Sequence, residues 1–237
     1  MRLDRALVAR GLAESRTKAQ ELIKNNKVLK NNIVCSKANT NVSDADIISI
    51  TEELKYVSRG GHKVEFALDV FNINPKGRVC ADIGASTGGF TDCLLQKGAR
   101  RVYAIDVGSD QLVKRIRENK KVISLEQTDI RNLVLPEKVD LAVVDVSFIS
   151  LTYVLKDITN ITKTGGDIVV LIKPQFEVGR EHILKNGIAD PDYREGAIDK
   201  VCNYAFTLGL INKGVTESPI LGGNGNVEYL GWFEKKM

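Results

Sequence analysis

Four aspartates, one lysine and a run of glycines stand in this chain where chemistry can use them. The apolar stretch Val79-Cys-Ala-Asp-Ile runs into Gly84-Ala-Ser-Thr-Gly-Gly-Phe, a turn in which backbone can approach a ligand closely. A second apolar stretch ends at Asp106, where a carboxylate can accept both hydroxyls of a ribose. A dinucleotide fingerprint requires G-x-G-x-x-G around a pyrophosphate. Here the pattern is Asp82-x-Gly84-x-x-x-Gly88-Gly89, with an acid at the strand end that suits an aminoacyl ammonium, directly or through water. Asp82, Gly84, Ala85, Ser86, Thr87, Gly88, Gly89 and Asp106 are therefore read as a site for S-adenosylmethionine, with a purely structural turn as the alternative. Asp129, in Gln127-Thr-Asp-Ile, is placed either to meet the adenine edge or to cap a helix. Asp145 closes Val143-Val-Asp and Lys173 closes Val169-Val-Leu-Ile-Lys, and the carboxyl ends of parallel strands are where open α/β sheets bind substrates. The alternative for Lys173 is a structural lysine whose stem snorkels along apolar surface.

Other chemistries are poorly served. His62 and His182 lie far apart and no Gly-x-Ser-x-Gly elbow is present, which argues against a hydrolytic triad. Cys35, Cys80, Cys93 and Cys202 match no zinc spacing, so no metal is expected and the thiols are expected to be reduced and buried. No run approaches 18 apolar residues and no apolar signal core follows the first residues, so a cytoplasmic protein without a membrane partner is expected.

The 237 residues alternate strand-like and helical runs from Val79 onward: 79–83, 88–97, 101–106, 110–118, 122–125, 141–145, 151–158 and 168–173. That order predicts a doubly wound α/β sheet of Rossmann type, with a helix near 194–208 and two further strands at 212–217 and 227–233. Tyr56-Val-Ser-Arg-Gly-Gly-His-Lys is read as a glycine-containing joint, and the domain boundary is placed near 50–57. The segment 177–195, rich in charge and glycine, is long enough for a mobile substrate loop. Phe148 and Phe176 are read mainly as core residues, with stacking on a base as the alternative; Arg59, Arg180 and Lys185 are read as loop cations able to track RNA backbone, with solvated surface charges as the alternative.

Charge divides the chain in the same place. Residues 1–43 carry nine Lys or Arg against three acids, a net charge of +6, while the remainder carries 25 against 27. A basic segment on a near-neutral body points to a polyanion-binding module, most often for nucleic acid. Leu3, Leu7 and Val8, then Ala19, Leu22 and Ile23 behind Ser15, predict two short helices. A hairpin turning at Asn31-Asn32 and a strand at 46–50 complete a small α+β unit.

Arg2-Leu-Asp-x-x-Leu-Val-x-x-Gly-Leu-Ala-x-Ser-Arg-x-x-Ala-x-x-Leu-Ile resembles the S4-type RNA-binding module. The resemblance places Arg5, Ser15, Arg16 and Lys18 at the ends of a helix pair, facing phosphate. Asn26 and Asn32 stand where that family usually has glycine. Downstream, Ser58-Arg-Gly-Gly-His-Lys, Asp82-Ile-Gly-Ala-Ser-Thr-Gly-Gly-Phe-Thr-Asp, Asp106-Val-Gly, Asp145-Val-Ser-Phe-Ile-Ser and Lys173-Pro-Gln-Phe-Glu-Val-Gly resemble the TlyA family, often labelled hemolysin A. Its members are similar to FtsJ-type RNA 2′-O-methyltransferases carrying an N-terminal S4-type module.

The resemblance implies a class I methyltransferase domain over 56–237 behind an S4-like unit over 1–55. It also implies a Lys-Asp-Lys-Glu tetrad at Lys63, Asp145, Lys173 and Glu228, and cofactor contacts that include Asp145. The implied substrate is a cytidine ribose in large-subunit rRNA, in some members also in small-subunit rRNA, and the implied partner is rRNA or a ribosomal subunit, bound by a monomer. The start of the chain on the S4-type pattern resembles the shorter members with the narrower, large-subunit target. Lys173 is the candidate base, since a lysine accepts a proton only as the free amine. Two acids and two amines in one cluster titrate as a coupled set. A pore-forming hemolysin and a noncatalytic RNA-binding assembly factor are the competing readings.

Overall fold

The computed structural model describes residues 1–50 and 55–236 and divides into two units, Met1–Lys55 and Tyr56–Met237. Of the boundary expected near 50–57, residues 51–54 lie outside the described residues. In the first unit, helices α1 (Leu3–Ala9) and α2 (Arg16–Lys24) pack with strands β1 (Val28–Lys30), β2 (Ile33–Val34) and β3 (Ile48–Ile50), in antiparallel order β2-β1-β3. Ser15 caps α2 by accepting the Lys18 N–H. Asn31 and Asn32 turn the hairpin with φ of 51° and 63°, and Asn26 has φ 57°, so asparagine takes the left-handed conformation that glycine otherwise supplies. The small core holds Leu3, Ala6, Leu7, Ala19, Ile23, Val28, Val42 and Ile48. Val8, at helical spacing with Leu3, is exposed, and Leu3, Ala6 and Leu7 form the buried face.

The second unit is a seven-stranded sheet of order β6-β5-β4-β7-β8-β10-β9. Its strands are β4 (Val79–Ile83), β5 (Arg101–Ile105), β6 (Val122–Leu125), β7 (Val139–Val144), β8 (Thr162–Ile172), β9 (Leu210–Glu217) and β10 (Tyr229–Lys235). Strands β4 to β8 are parallel, whereas β10 runs antiparallel to both β8 and β9. The chain winds outward from β4 to β6, then returns to β7 on the other side of β4, which opens a crevice at the carboxyl ends of these two strands. Helices α3 (Gly60–Val70) and α4 (Gly89–Gln96) cover one face, and α6 (Leu155–Ile161) and α8 (Arg194–Thr207) cover the other. Two short helices, α5 (Lys114–Arg117) and α7 (Pro174–Glu177), lie in connections.

Several expectations need correction. Gly60 and Gly61 lie inside α3 rather than in a joint, because a Cβ on Gly61 would sit 2.3 Å from the Tyr56 ring: packing, not turning, demands glycine there. The helix expected over 110–118 shrinks to α5, since the Glu126 carboxylate accepts the N–H groups of Asp110, Gln111 and Leu112 and holds them out of helical geometry. The 177–195 segment makes contacts within itself and with a later residue. His182 stacks on Tyr193 at 3.5 Å, and Asn226 accepts from Ala189 N–H and donates to the Gly187 carbonyl. Of the four free cysteines, Cys80 and Cys93 are buried, while Cys35 and Cys202 are partly exposed. Burial pushes the Cys80 thiol up to about 12, which leaves it an inert core residue.

Candidate active site

Strand alternation gathers the chemistry on one face. Cys80, Val102, Leu141, Val143, Val169, Leu171 and Leu230 pack on the side covered by α3 and α4, and Asp82, Asp106, Asp145, Lys173 and Glu228 share their parity. Asp106, Asp145 and Lys173 each stand one residue past the carboxyl end of a parallel strand. Glu228 stands one residue before β10, whose antiparallel course brings its start to the same edge, with Tyr229 paired to Ile172. From the first turn of α3, Lys63 reaches the same place.

The tetrad residues form two ion pairs. Lys63 Nζ meets Glu228 Oε2 at 2.5 Å, with both residues buried. Lys173 Nζ lies 2.6 Å from Asp145 Oδ1, and it donates a hydrogen bond to Ser147 Oγ at 2.7 Å. The Asp145 contact is short but poorly aligned, leaving Oδ1 without a hydrogen bond among the described residues. Gly222 makes room for the first pair, because a Cβ there would fall 2.0 Å from Glu228 Oε1.

Between the start of α3, the glycine turn and Asp145 lies an open cleft of about 250 Å³, just under the ~300–1,000 Å³ of enclosed small-molecule sites. Gly84, Ala85, Ser86, Thr87, Gly89 and Asp145 line it, as do Arg59 and Lys63. Gly84 has φ +82°, and a Cβ on it would lie 2.4 Å from the Asp145 carbonyl oxygen. Gly88, at φ 95°, bends the turn into α4. On Gly89 a Cβ would meet Ser58 Oγ at 2.1 Å.

Asp82 sits behind this lining, fully buried. Its Oδ2 accepts the Thr91 N–H and hydroxyl at 2.8 and 2.6 Å, while Oδ1 has no partner among the described residues. Burial, with added repulsion from Asp145 and Asp106 and against the Thr91 bonds, pushes this carboxyl up to about 7. A cationic ligand would relieve that cost, so an unpartnered buried acid behind a glycine cradle fits the ammonium and sulfonium of S-adenosylmethionine. Asp106 accepts from Ser86 N–H and Gly108 N–H, one on each oxygen, and each oxygen keeps a lone pair for a hydroxyl. Asp129 stands apart from the cleft lining, exposed and paired with Arg131, which holds its carboxyl low. No helix follows it, so the N-cap alternative is not realised.

Phe148, read mainly as core, is 91% exposed with φ 64°, and its ring lies 5.2 Å from that of the half-buried Phe176. Arg180 and Lys185 are exposed without side-chain partners among the described residues. In the first unit the expected RNA-facing residues differ in freedom. Ser15 is committed to its cap, Arg16 donates to the buried Asp4 at 2.8 Å, and Lys18 pairs with Glu21, whereas the Arg5 side chain is exposed and unpaired among the described residues. Sequence reasoning missed Ser147, Ser58 and Glu177. The signal for the first lies in Asp145-Val-Ser, a hydroxyl two residues after the strand-end acid.

The fold and this site define a Rossmann-like methyltransferase. Residues 56–235 match the family of FtsJ-like methyltransferases, to which the chain belongs, and residues 1–48 match the S4 domain. The 16S/23S rRNA (cytidine-2′-O)-methyltransferase TlyA of Mycobacterium tuberculosis is 44% identical over 98% of this chain and 88% of its own. The 23S rRNA (cytidine-2′-O)-methyltransferase TlyA of Campylobacter jejuni is 37% identical over 99% of this chain and 100% of its own. A solved structure described as a hemolysin from Streptococcus thermophilus superposes with a TM-score of 0.78 at 40% identity, covering 100% of this chain and 88% of that one.

Proposed function

We propose that the protein transfers a methyl group from S-adenosylmethionine to the 2′-oxygen of a cytidine in ribosomal RNA. The observation that carries this reading is the gathering of Lys63–Glu228 and Lys173–Asp145 at one sheet edge beside a glycine-lined cleft. S-adenosylmethionine supplies an electrophilic methyl on a sulfonium sulfur. Asp82, Gly84 to Gly89, Asp106 and Asp145 would hold the cofactor, with Asp129 as a further candidate if its pair with Arg131 opened.

Lys173, as the free amine, takes the 2′-hydroxyl proton as the oxygen–carbon bond forms, a contribution of about 10²–10⁴-fold. Asp145 keeps Nζ at the cleft. Lys63, anchored by Glu228, points its remaining N–H groups at the ribose oxygens, and holding the hydroxyl in line supplies much of the remaining acceleration. Phe148 and Phe176 offer an aromatic face to a base turned out of its stack. Arg5, Ser15, Arg16 and Lys18 of the S4 unit, with Arg59 at the cleft, are the RNA contacts of this reading.

A cytoplasmic monomer that needs no metal and takes the large subunit as its target completes the proposal. The pore-forming reading has little support: no described helix is long and apolar enough to cross a membrane. A noncatalytic assembly factor would have no use for two ion pairs at the cleft. The test is nucleoside mass spectrometry of ribosomal subunits incubated with the protein and S-adenosylmethionine. 2′-O-Methylcytidine in the rRNA is expected, and methylation of a base alone would overturn the assignment.

A further inference from the structure

The turn after Asp145 holds a side chain outside the tetrad that acts on the candidate base. An amine on a four-carbon stem rotates freely about its last bond, so nearness alone does not decide where its lone pair points. Asp145 Oδ1 attracts Lys173 Nζ from 2.6 Å but stands off the hydrogen-bond line. The 2.7 Å bond to Ser147 Oγ is the aligned restraint on that rotation among the described residues.

Ser147 is itself exposed, and the loop that carries it is tied down beside it. Phe148, immediately after it, sits at φ 64°, a left-handed conformation that is unfavourable for a residue with a side chain and persists only where the rest of the loop imposes it. Two residues further on, Ser150 Oγ and Leu151 N–H donate to Glu177 Oε2 and Oε1 at 2.5 and 2.8 Å. Glu177 is itself buried and ends α7, the helix that begins directly after Lys173. One carboxylate thus ties the loop that carries Ser147 to the segment that carries Lys173.

We propose that Ser147 is a positioning residue for methyl transfer: its oxygen accepts one N–H of Lys173 and turns the open position of Nζ toward the acceptor ribose. With the stem and the Ser147 bond fixing two tetrahedral directions, and the off-line Asp145 carboxylate drawing the second N–H to its side, the remaining direction is the lone pair that receives the 2′-hydroxyl proton. This rests on the methyl transfer proposed above.

The test is steady-state methylation of ribosomal subunits by full-length wild type, Ser147→Ala and Ser147→Thr, with S-adenosylmethionine affinity and thermal unfolding measured on each. Ser147→Ala is expected to lower kcat about tenfold, with KM for the subunit and cofactor affinity held within about twofold, and Ser147→Thr to recover most of the loss. An unchanged kcat in Ser147→Ala, a rise in KM alone, or a threonine variant as slow as the alanine one would each overturn the role. A wild-type protein that methylates no rRNA would instead overturn the function on which the role rests.

Discussion

Lys63 is useful only where Glu228 holds it, and Glu228 fits only because residue 222 has no side chain. Gly222→Ala is therefore expected to push the Glu228 carboxylate off Lys63 without unfolding the sheet, and misplacement of about 1 Å near reacting atoms can cost 10²-fold. Single-turnover methylation should fall by that order while thermal unfolding moves little. Asp82 gives a second prediction, on pH. Its carboxyl is raised from 3.8 to about 7, so the folded protein holds a proton that the unfolded chain has already released. The stability this contributes is present below about pH 4 and lost as pH rises through 7. Wild type without cofactor should therefore lose stability relative to Asp82→Asn between pH 4 and 7, measured by thermal unfolding of both. A difference that stays constant over that range would show that Asp82 is ionised throughout.

At the scale of the element, the glycine turn and the end of β7 are one construction. Gly84 combines φ +82° with backbone contact to Asp145, so Gly84→Ala strains the turn by about 1–2 kcal/mol and moves the acid that faces Lys173. Calorimetric titration should show weakened cofactor binding in this variant, along with the stability loss. The strands were legible because apolar runs of four to six residues ended in Gly, Asp, Glu or Lys, which put Asp106, Asp145 and Lys173 at strand ends. Connections were less legible. Nothing local in 110–118 announces that Glu126 will take three of its N–H groups. The side-chain partner of Asn226 in the 177–195 segment is likewise far away in sequence. Phe148 was misread because an aromatic after a strand resembles core until the left-handed backbone turns it outward.

Across the whole chain, charge and chemistry are carried by different units. The basic excess of residues 1–43 is partly neutralised within the fold, with Arg16 on Asp4, Lys18 on Glu21 and Lys30 on Asp46. Arg5 remains exposed and unpaired among the described residues. Arg5→Ala should weaken rRNA binding at all sequences and reduce the salt slope of log K by about 1, while cofactor affinity stays as it was. Filter binding across a salt series reads the slope, and an unaltered slope would remove Arg5 from the phosphate contacts. The tetrad was legible through family resemblance. Its division into Lys63–Glu228 and Lys173–Asp145 was not, since that depends on the antiparallel course of β10. The central claim, that Lys173 is the base for 2′-O-methylation, is tested most directly by transfer of labelled methyl from S-adenosylmethionine to purified ribosomal subunits by wild type and Lys173→Ala. The account predicts label at a cytidine 2′-oxygen with wild type and its loss in the variant, with cofactor binding retained; label transferred by Lys173→Ala at the wild-type rate would contradict it.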